Sequence, residues 1–538
     1  MAKWVLVIRG LVTLAVLLAL CAGISGCGAG KRLSRDPSTL VVLELADADT
    51  LNPLYSTNYY STVYESLVFD SLVNIGSDFE PIPALATSWK GTPDGLHWTV
   101  ELRRGVKFTD GAPFASKDVV WTYRAMLNPD TAFPYRGQFA FIKNVEAEGP
   151  YRVHFDLSQT NALFVIQALN APILPEHILG KTAFKGQRQT GFGEHPVGTG
   201  PYVFKQWLHD EQVSFERNPQ YWDRPAEIPR IVFRVVLDDQ ARIDAMESGD
   251  ADLNDGMNAG SYEILKEAHT NLHLLHVPDL YSYFFYLNFT RPGIPDLAVR
   301  RAMMYGWDRQ AELKGLTRGD SDLATGIVPE ALRTWYDPNV RRYPYEPARA
   351  RALLETAGYR VGPDGVRRRG RVRLAYTLTF PGSGQASTSA EIATAFQADM
   401  RAVGIAVTVQ QLDYATFLTQ TQDGHYDIAI SGWGGVPDPD QLTLLGSDQF
   451  PPAGNNDMFY RNPRIDRDVH MGIKLVDPAK RKPFYDDMQR LIADDVPVLF
   501  YEFPFSRVAI SPRVQFDFEH ALPDQYLFLN VNRWRLVR

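Results

Sequence analysis

Residues 426–440 read YDIAISGWGGVPDPD, and the rest of the chain is interpreted around this stretch. A strand-like apolar run at 428–430 leads into small residues, Trp433 and two glycines, and then into Pro-Asp-Pro-Asp. A buried strand that breaks into a Gly-rich loop lets the backbone approach another group closely, and Trp433 adds a flat apolar face. This pattern is typical of the wall of a ligand cleft. It also fits a core strand followed by a surface turn, with Trp433 filling a packing hole, and the stretch alone leaves both interpretations open.

The N-terminus has the pattern of a lipoprotein signal peptide at residues 1–26. After a basic start, the apolar run at 11–20 is too short to remain as a membrane-spanning helix. Ile24-Ser25-Gly26 then places small residues directly before Cys27. We therefore predict cleavage before Cys27, lipidation of its thiol and a tether at residues 27–38. An ordinary signal peptide and a permanent membrane anchor are the alternatives.

Composition restricts the class of protein. Removal of residues 1–26 deletes two basic residues and no acidic ones, which changes the formal charge from −8 to −10, so nucleic acid is an unfavourable partner. Cys27 is the one cysteine that would survive processing, so the mature chain has no disulfide. With 538 residues and 45% hydrophobic content, the chain is long and apolar enough for about three domains with ordinary cores. We expect a monomer without a cofactor.

Periodicity along the chain indicates an α/β protein. Trp98, Val100 and Leu102 alternate with polar residues, as in a half-buried hairpin strand. Residues 231–253 alternate strand, helix and strand in a βαβ-like unit, whose helix ends at Gly249. This rhythm predicts a sheet with helices on its faces, next to a hairpin-rich region.

Several sequence blocks follow one another across the mature chain. They are LATSW at 85–89, DGLHWTVELRRGVKFTDG at 94–111, SKDVVWT at 116–122, GTGPY at 198–202, RNP at 217–219, VRRA at 299–302, LLETAGY at 353–359 and GWGGVPDP at 432–439. In type and order they resemble the blocks of the extracellular solute-binding protein family 5, which includes the oligopeptide-, dipeptide- and nickel-binding proteins of ABC importers. The resemblance covers essentially the whole mature chain, so it is far more specific than any single motif.

The resemblance implies a three-domain, type II periplasmic-binding clamshell with mixed sheets and a hairpin-rich inserted domain. The implied bounds are 39–60, 197–278 and 504–538 for a discontinuous domain I, 61–196 for the inserted domain II, and 279–503 for domain III. Ligand would lie between domains I and III. The crossings near Leu280 and Phe503 would serve as hinges for closure.

The same resemblance suggests which residues contact the ligand. Trp433, Gly434 and Gly435 match the family's cleft loop, and Asp438 lies in the same loop, where Pro-Asp-Pro also fits a rigid turn. Two further places are expected at the cleft. They are Tyr55 and Tyr59 after the first strand, and Tyr281 and Tyr283 at the crossing into domain III.

One position departs from the family's pattern. In peptide-binding members, an aspartate that follows the Gly-Trp-x-x loop pairs with the ligand's α-ammonium group, whereas this chain has Val436 there. The arginine that oligopeptide-binding members place three residues before the Trp is replaced by Ile430. A ligand amine must therefore be absent or bound elsewhere, since a buried ammonium without an acceptor is costly. Asp438 is the nearest substitute in the sequence.

Motifs of enzymes are missing from the sequence. Gly382-Ser383-Gly384 lacks the flanks of a nucleophile elbow, and neither a His-Glu-x-x-His motif nor a phosphate loop is present. His273 and His276 lie three apart in an alternating segment, so they face opposite sides of a strand and make a poor metal pair. The arginine-rich run at 367–373 fits a solvated hairpin, with a patch for an anionic partner as the alternative. We predict no catalytic residues and no metal site.

The function predicted from these features is that of an extracytoplasmic solute-binding lipoprotein. It would capture a small solute, foremost a peptide, and deliver it to an ABC permease, while its N-terminal lipid holds it at the membrane facing the periplasm or the outer cell surface. A lipoprotein of the same fold that senses or chaperones peptides without import is the alternative. A secreted hydrolase is a distant third.

Overall fold

The computed structural model describes residues 36–268, 270–316, 321–382, 389–434, 436–451 and 454–537. The predicted signal peptide, Cys27 and Gly435 lie outside these residues. The elements up to residue 196 are β1 (Thr39–Glu44), α1 (Tyr59–Val68), β2 (Val73–Ile75), β3 (Pro81–Pro83), β4 (Ala86–Gly91), β5 (His97–Leu102), α2 (Ser116–Leu127), α3 (Arg136–Phe139), β6 (Ile142–Ala147), β7 (Arg152–Leu157) and α4 (Glu176–Leu179).

The middle of the chain alternates strands and helices as its sequence predicts. Its elements are β8 (Tyr202–Leu208), β9 (Gln212–Arg217), β10 (Arg230–Val235), α5 (Asp239–Ser248), β11 (Leu253–Asn254), α6 (Ala259–Glu267) and β12 (His273–Pro278). The Asp238 side chain caps the start of α5 by accepting from the Ala241 amide, and Gly249 ends the helix at a φ of +75°. The predicted βαβ-like unit is therefore confirmed.

The remaining elements begin with the aromatic strand. They are β13 (Ser282–Leu287), α7 (Leu297–Gly306), α8 (Arg309–Leu316), β14 (Ser321–Leu323), α9 (Pro347–Thr356), β15 (Arg360–Val361), β16 (Arg367–Arg369), β17 (Val372–Arg373), β18 (Ala375–Pro381), α10 (Ser389–Ala402), β19 (Ala406–Leu412), α11 (Tyr414–Gln422), β20 (Ile428–Trp433), α12 (Leu442–Leu445), α13 (Pro463–Lys474), α14 (Pro478–Asp495), β21 (Val498–Ile510), β22 (Val514–Gln515) and β23 (Arg535–Leu536).

A twelve-stranded mixed sheet runs through the molecule in the order β19-β18-β20-β13-β21-β11-β1-β10-β9-β8, and β12 and β14 also pair with β21. A separate antiparallel sheet, β4-β5-β7-β6, supplies the predicted hairpin-rich region between residues 86 and 157. In β5, Trp98, Val100 and Leu102 are buried and alternate with more exposed residues, as predicted.

Strand β21 joins the two halves of the large sheet. Its first part pairs with β13, and its second part pairs with β12 and β11. The register against β13 shifts between Tyr283 and Phe284, next to the point where the chain crosses from β12. The amide of Asp279 donates to the carbonyl of Pro504 at 3.1 Å, which ties the two crossing segments together.

The buried apolar residues form three clusters. One cluster is built from residues 280–503, a second from residues 40–233 with Leu253 and residues 508–534, and a third from the other face of β1 with α5 and α6. The buried members of the first cluster lie within the range predicted for domain III, residues 279–503. The three-domain division itself stays a prediction.

Candidate ligand-binding site

Strand β20 carries the central stretch of the sequence to the edge of a pocket. It starts with three buried residues, Ile428, Ala429 and Ile430, and pairs antiparallel with β13. At its end Trp433 lies opposite Ser282, whose hydroxyl donates to the Trp433 carbonyl at 3.3 Å. The aromatic strand β13 therefore fixes where the Gly-rich turn begins.

Two glycines of this stretch allow a close approach of backbone segments. A Cβ atom on Gly434 would lie far inside van der Waals contact with the Leu280 carbonyl and the Tyr281 Cα, which are backbone atoms that cannot turn away. A Cβ atom on Gly432 would overlap the Tyr281 ring. The sequence predicts that another group lies very close to the backbone here. That group is part of the chain itself, because both glycines pack against Leu280 and Tyr281, where the chain crosses into β13.

Trp433 is half-buried and packs against the core built from residues 280–503. It also lines a small pocket whose water-accessible volume is about 20 Å³. The pocket is lined by Leu280, Ile327, Val328, Pro329, Leu332, Trp433, Gly434, Val436, Asp438, Pro439, Asp440 and Gln441. Trp433 thus contacts both the core and the pocket, and its contact with ligand stays a prediction.

Asp438 lies in a buried ion pair. Arg481, on α14, donates from Nη1 to Oδ2 and from Nη2 to Oδ1 of Asp438, both at 2.8 Å, and 5% and 4% of the two side chains are exposed. The Arg481 guanidinium also donates to the Tyr485 hydroxyl at 2.9 Å. The hypothesis that Asp438 offers a free carboxylate to a ligand amine therefore does not fit this geometry, because its charge is already neutralised.

Asp440 and Gln441 follow in the same turn and were not predicted as site residues. The amide of Leu442 donates to Asp440 Oδ1 at 3.1 Å. Burial, and next the negative charge of Asp438, raise the pKa of Asp440 to about 7, and Arg481 opposes this rise. The side-chain oxygen of Gln441 is buried and has no hydrogen-bond partner among the described residues. The pocket lining therefore includes a hydrogen-bond acceptor, the Gln441 side-chain oxygen, that has no donor among the described residues.

Tyr281 and Tyr283 lie at the crossing into β13, as predicted. Their ring centroids are 4.8 Å apart with the planes tilted by 54°. Burial is the main cause that raises the pKa of Tyr281 to about 12, so its hydroxyl is neutral at physiological pH. The Tyr281 ring packs against Gly432 and thereby supports the end of β20 from the other side of the turn.

Tyr55 and Tyr59 are in a different environment from the Trp433 pocket. Tyr59 begins α1, and its hydroxyl donates to Asp255 at 2.7 Å. The guanidinium of Arg188 lies 4.5 Å from the centroid of the Tyr55 ring. Both tyrosines pack against the second core cluster, and neither lines the pocket. Their contact with ligand stays a prediction.

Residues from the inserted region touch residues 280–503. The Phe79 side chain packs against their core, and its backbone has a φ of +63° in the turn between β2 and β3. The Ala162 amide donates to the Ile473 carbonyl at 2.7 Å. Glu80, next to Phe79, has its pKa raised mainly by burial, with Asp438 and Arg481 also acting on it. This contact brings the inserted region close to the Asp438–Arg481 pair.

The arginine-rich run forms the predicted hairpin but is only partly solvated. Strands β16 and β17 pair antiparallel. Arg367 is 3% exposed and donates to Glu355 at 2.9 Å and to the backbone carbonyls of Val403 and Tyr359, so for this residue the expectation of a solvated position is wrong. Arg368 and Arg373 both pair with Asp364. Acidic side chains of the chain itself therefore pair with three of the arginines, so an anionic ligand is not needed to explain these three residues.

The described residues contain no cluster of three or more His, Cys, Asp or Glu side chains that is suited to a metal ion. His276 stacks on Phe505, with ring centroids 3.9 Å apart, and His273 packs against Phe518. No helix in the described ranges is long and apolar enough to cross a membrane.

The chain is similar in sequence to known proteins. Residues 80–450 match the family model described as "Bacterial extracellular solute-binding proteins, family 5 Middle". The oligopeptide-binding protein AppA of Bacillus subtilis is 26% identical over 98% of both chains. Protein XP55 of Streptomyces lividans is 31% identical over 89% of this chain and 87% of its own.

Solved structures share the architecture. The structure of Bacillus subtilis AppA in complex with a nonapeptide superposes with a TM-score of 0.78 at 25% identity, covering 93% of this chain and 99% of AppA. The ABC transporter-associated periplasmic binding protein DppA of Helicobacter pylori, in complex with the peptide STSA, gives a TM-score of 0.76 at 25% identity and covers 93% and 98% of the two chains. These similarities confirm the predicted fold class.

Proposed function

The chain belongs to the bacterial extracellular solute-binding proteins of family 5, and on this premise we propose that it captures a peptide between its lobes and delivers it to an ABC importer. Members of this family are binding proteins and not enzymes. The peptide-bound structures of AppA and DppA support a peptide as the class of ligand. The observation that carries the proposal is the pocket at the end of β20, whose wall includes Trp433 and Gly434 of the predicted cleft loop.

The crossing geometry supports closure of the lobes as the binding step. The strand that pairs with β21 changes from β12 to β13 within a few residues. The register of β13 against β21 is irregular at Tyr283–Phe284. A change of backbone angles at the two crossing segments would move residues 280–503 relative to the rest while both cores stay packed. Ligand that touches both lobes would favour the closed form by its extra contacts there.

Native mass spectrometry of the purified mature protein tests the peptide proposal. We expect a mass excess over the polypeptide that dissociates on activation and fragments as a peptide, or, for an empty preparation, a mass shift on addition of mixed synthetic peptides. A retained solute that is not a peptide, together with no shift by any peptide, would contradict it. In that case the family assignment would still hold.

We further propose that the protein is anchored through a lipid on Cys27, which lies outside the described residues. The support is the sequence Ile24-Ser25-Gly26-Cys27 after a short apolar run. Cys27→Ser is expected to move the protein from the membrane fraction to the soluble fraction, because several acyl chains anchor firmly and none would remain. Thermal unfolding should not change, since no disulfide is lost. Membrane retention of the variant equal to that of the unmodified sequence would refute this anchor.

A further inference from the structure

We propose that the arginine-rich hairpin β15–β17 is a docking surface for anionic phospholipid headgroups, and that it turns this side of the protein toward the membrane. The proposal goes beyond solute binding, and it draws on the proposed lipid anchor at Cys27 for the choice of partner. Residues 360–373 contain six arginines, no lysine and one acidic residue, Asp364, in a chain whose formal charge is −8. Positive charge is therefore concentrated in one short segment of an acidic protein.

The strand register places three of these arginines side by side. Strands β15, β16 and β17 form an antiparallel sheet in which Arg360 lies opposite Arg368, and Arg368 lies opposite Arg373. Residues directly opposite each other share one face of a sheet, and like charges in such pairs are destabilising. All three arginines are exposed. The hairpin thus presents a row of positive charges whose arrangement costs folding free energy.

Three of the six arginines have a structural role at the ends of helices. The side chains that donate to backbone carbonyls at the C-terminal ends of α9 and α10 are those of Arg360, Arg367 and Arg369. Cations stabilise helix C-termini, where the carbonyls lack intrahelical donors. The other three side chains donate to no backbone carbonyl among the described residues, and they belong to Arg368, Arg371 and Arg373. Attachment of the hairpin to the helices therefore does not account for this second group.

The charges of the second group are only partly neutralised by the chain. Arg368 and Arg373 share one carboxylate, that of Asp364, at 3.3 and 3.1 Å, and both arginine side chains are 46% exposed. Arg371, in the turn between β16 and β17, is exposed and has no acidic partner in the described ranges. One carboxylate against three guanidinium groups leaves two positive charges. Phosphate oxygens can join Asp364 there, because a guanidinium group binds phosphate and carboxylate in the same two-pronged geometry.

The hairpin lies at the other end of the sheet from the candidate ligand-binding site. It leads directly into β18, which starts at Ala375 and pairs in parallel with β20. Strand β20 runs away from the hairpin and ends at Trp433, beside the pocket. The arginines therefore stay accessible while a solute is bound, and their partner is a different molecule from the solute.

A phospholipid surface is the polyanion that the proposed anchor keeps next to the protein. A lipid on Cys27 would hold the chain at the headgroups through the short tether at residues 27–38. The formal charge of −10 after removal of residues 1–26 is repelled by anionic lipids, so a basic surface decides which side faces them. Basic side chains also add to the membrane binding that acyl chains provide.

The test measures sedimentation of the lipid-free protein with vesicles. The parent protein is the mature chain with Cys27→Ser, and the vesicles contain phosphatidylcholine alone or with about 30% phosphatidylglycerol, at about 50 mM and about 500 mM salt. The hairpin variant combines three substitutions, Arg368→Gln, Arg371→Gln and Arg373→Gln. The matched control removes the same charge from exposed arginines elsewhere, by Arg224→Gln, Arg464→Gln and Arg533→Gln. A third variant places lysine at the three hairpin positions, and thermal unfolding of each protein checks the fold.

We expect the parent protein to bind the anionic vesicles at the lower salt concentration, to release them at the higher one, and not to bind the neutral vesicles. The hairpin glutamine variant should bind about 100-fold more weakly, since each arginine near an anionic surface contributes about fivefold. The control should bind as the parent does. The lysine variant should retain most of the binding, because it keeps the charge.

Three results would overturn the inference. They are a parent protein that ignores anionic vesicles, a loss of binding in the control equal to that in the hairpin variant, and a folded hairpin variant that binds as the parent does. Retention of the parent on a column of a polymeric anion, lost in the hairpin variant and without any preference for anionic vesicles, would assign the surface to a soluble polyanion instead. None of these results bears on the lipid at Cys27, which the parent protein lacks and which fractionation of membranes tests separately.

Discussion

Replacing Arg481 with methionine is expected to lower the free energy of unfolding by about 3–5 kcal/mol. The substitution keeps much of the side-chain volume but leaves Asp438, whose side chain is 4% exposed, as a charge without its two guanidinium bonds. It also removes the donor to the Gly472 carbonyl, which Arg481 Nε contacts at 2.7 Å. Chemical denaturation of wild type and variant under identical conditions measures the difference.

Two further variants separate the ion pair from a general effect of lost charge. Lys482 follows Arg481 on the same helix and pairs with Asp486 at the surface, so Lys482→Met should change stability by less than about 1 kcal/mol. Asp438→Leu combined with Arg481→Met should recover part of the loss, because no buried charge is then left unpaired. An Arg481→Met protein as stable as Lys482→Met would show that the pair contributes nothing.

Trp433→Ala is expected to weaken ligand binding by about 2 kcal/mol, or roughly 30-fold. Trp433 lines the pocket with one face and is held in place on the other by the core and by the pairing of β20 with β13. Truncation removes the largest apolar wall of the pocket and opens it to water. Titration calorimetry with a synthetic peptide that the wild type binds measures the effect.

Trp433→Phe supplies the matched control, since it keeps an aromatic wall and should recover most of the affinity. The alternative interpretation of Trp433, a packing residue beside a surface turn, makes the opposite prediction. In that case Trp433→Ala would unfold readily, and the fraction that remains folded would bind peptide as wild type does.

Much of the fold follows from periodic patterns in the sequence. The alternation of Trp98, Val100 and Leu102 places β5 correctly, and the sequence around Gly249 gives the end of α5. The apolar run at 428–430 locates β20, although the strand continues to Trp433 instead of ending earlier. These features depend on neighbours within a few residues, which is the range over which a sequence pattern is informative.

Partners that are distant in the sequence could not be predicted in the same way. Asp438 and Arg481 are 43 residues apart, and nothing around either residue marks the other as its partner. Asp438 therefore seemed available to a ligand, whereas the structure neutralises it. Asp440, in the same turn, carries a signal that could have been used, because it is a second carboxylate after a proline in a predicted cleft loop. Its position beside Gln441, whose buried side-chain oxygen has no hydrogen-bond partner among the described residues, is visible only in three dimensions.

Hydrogen–deuterium exchange, with and without a synthetic peptide that the protein binds, tests whether solute is held at the end of β20 between two closing lobes. We expect slower exchange on binding in residues 279–283, 432–434 and 436–442, with the centres of β5 and β7 unchanged. Saturating peptide that leaves these segments unprotected while it protects another surface would contradict binding at the end of β20.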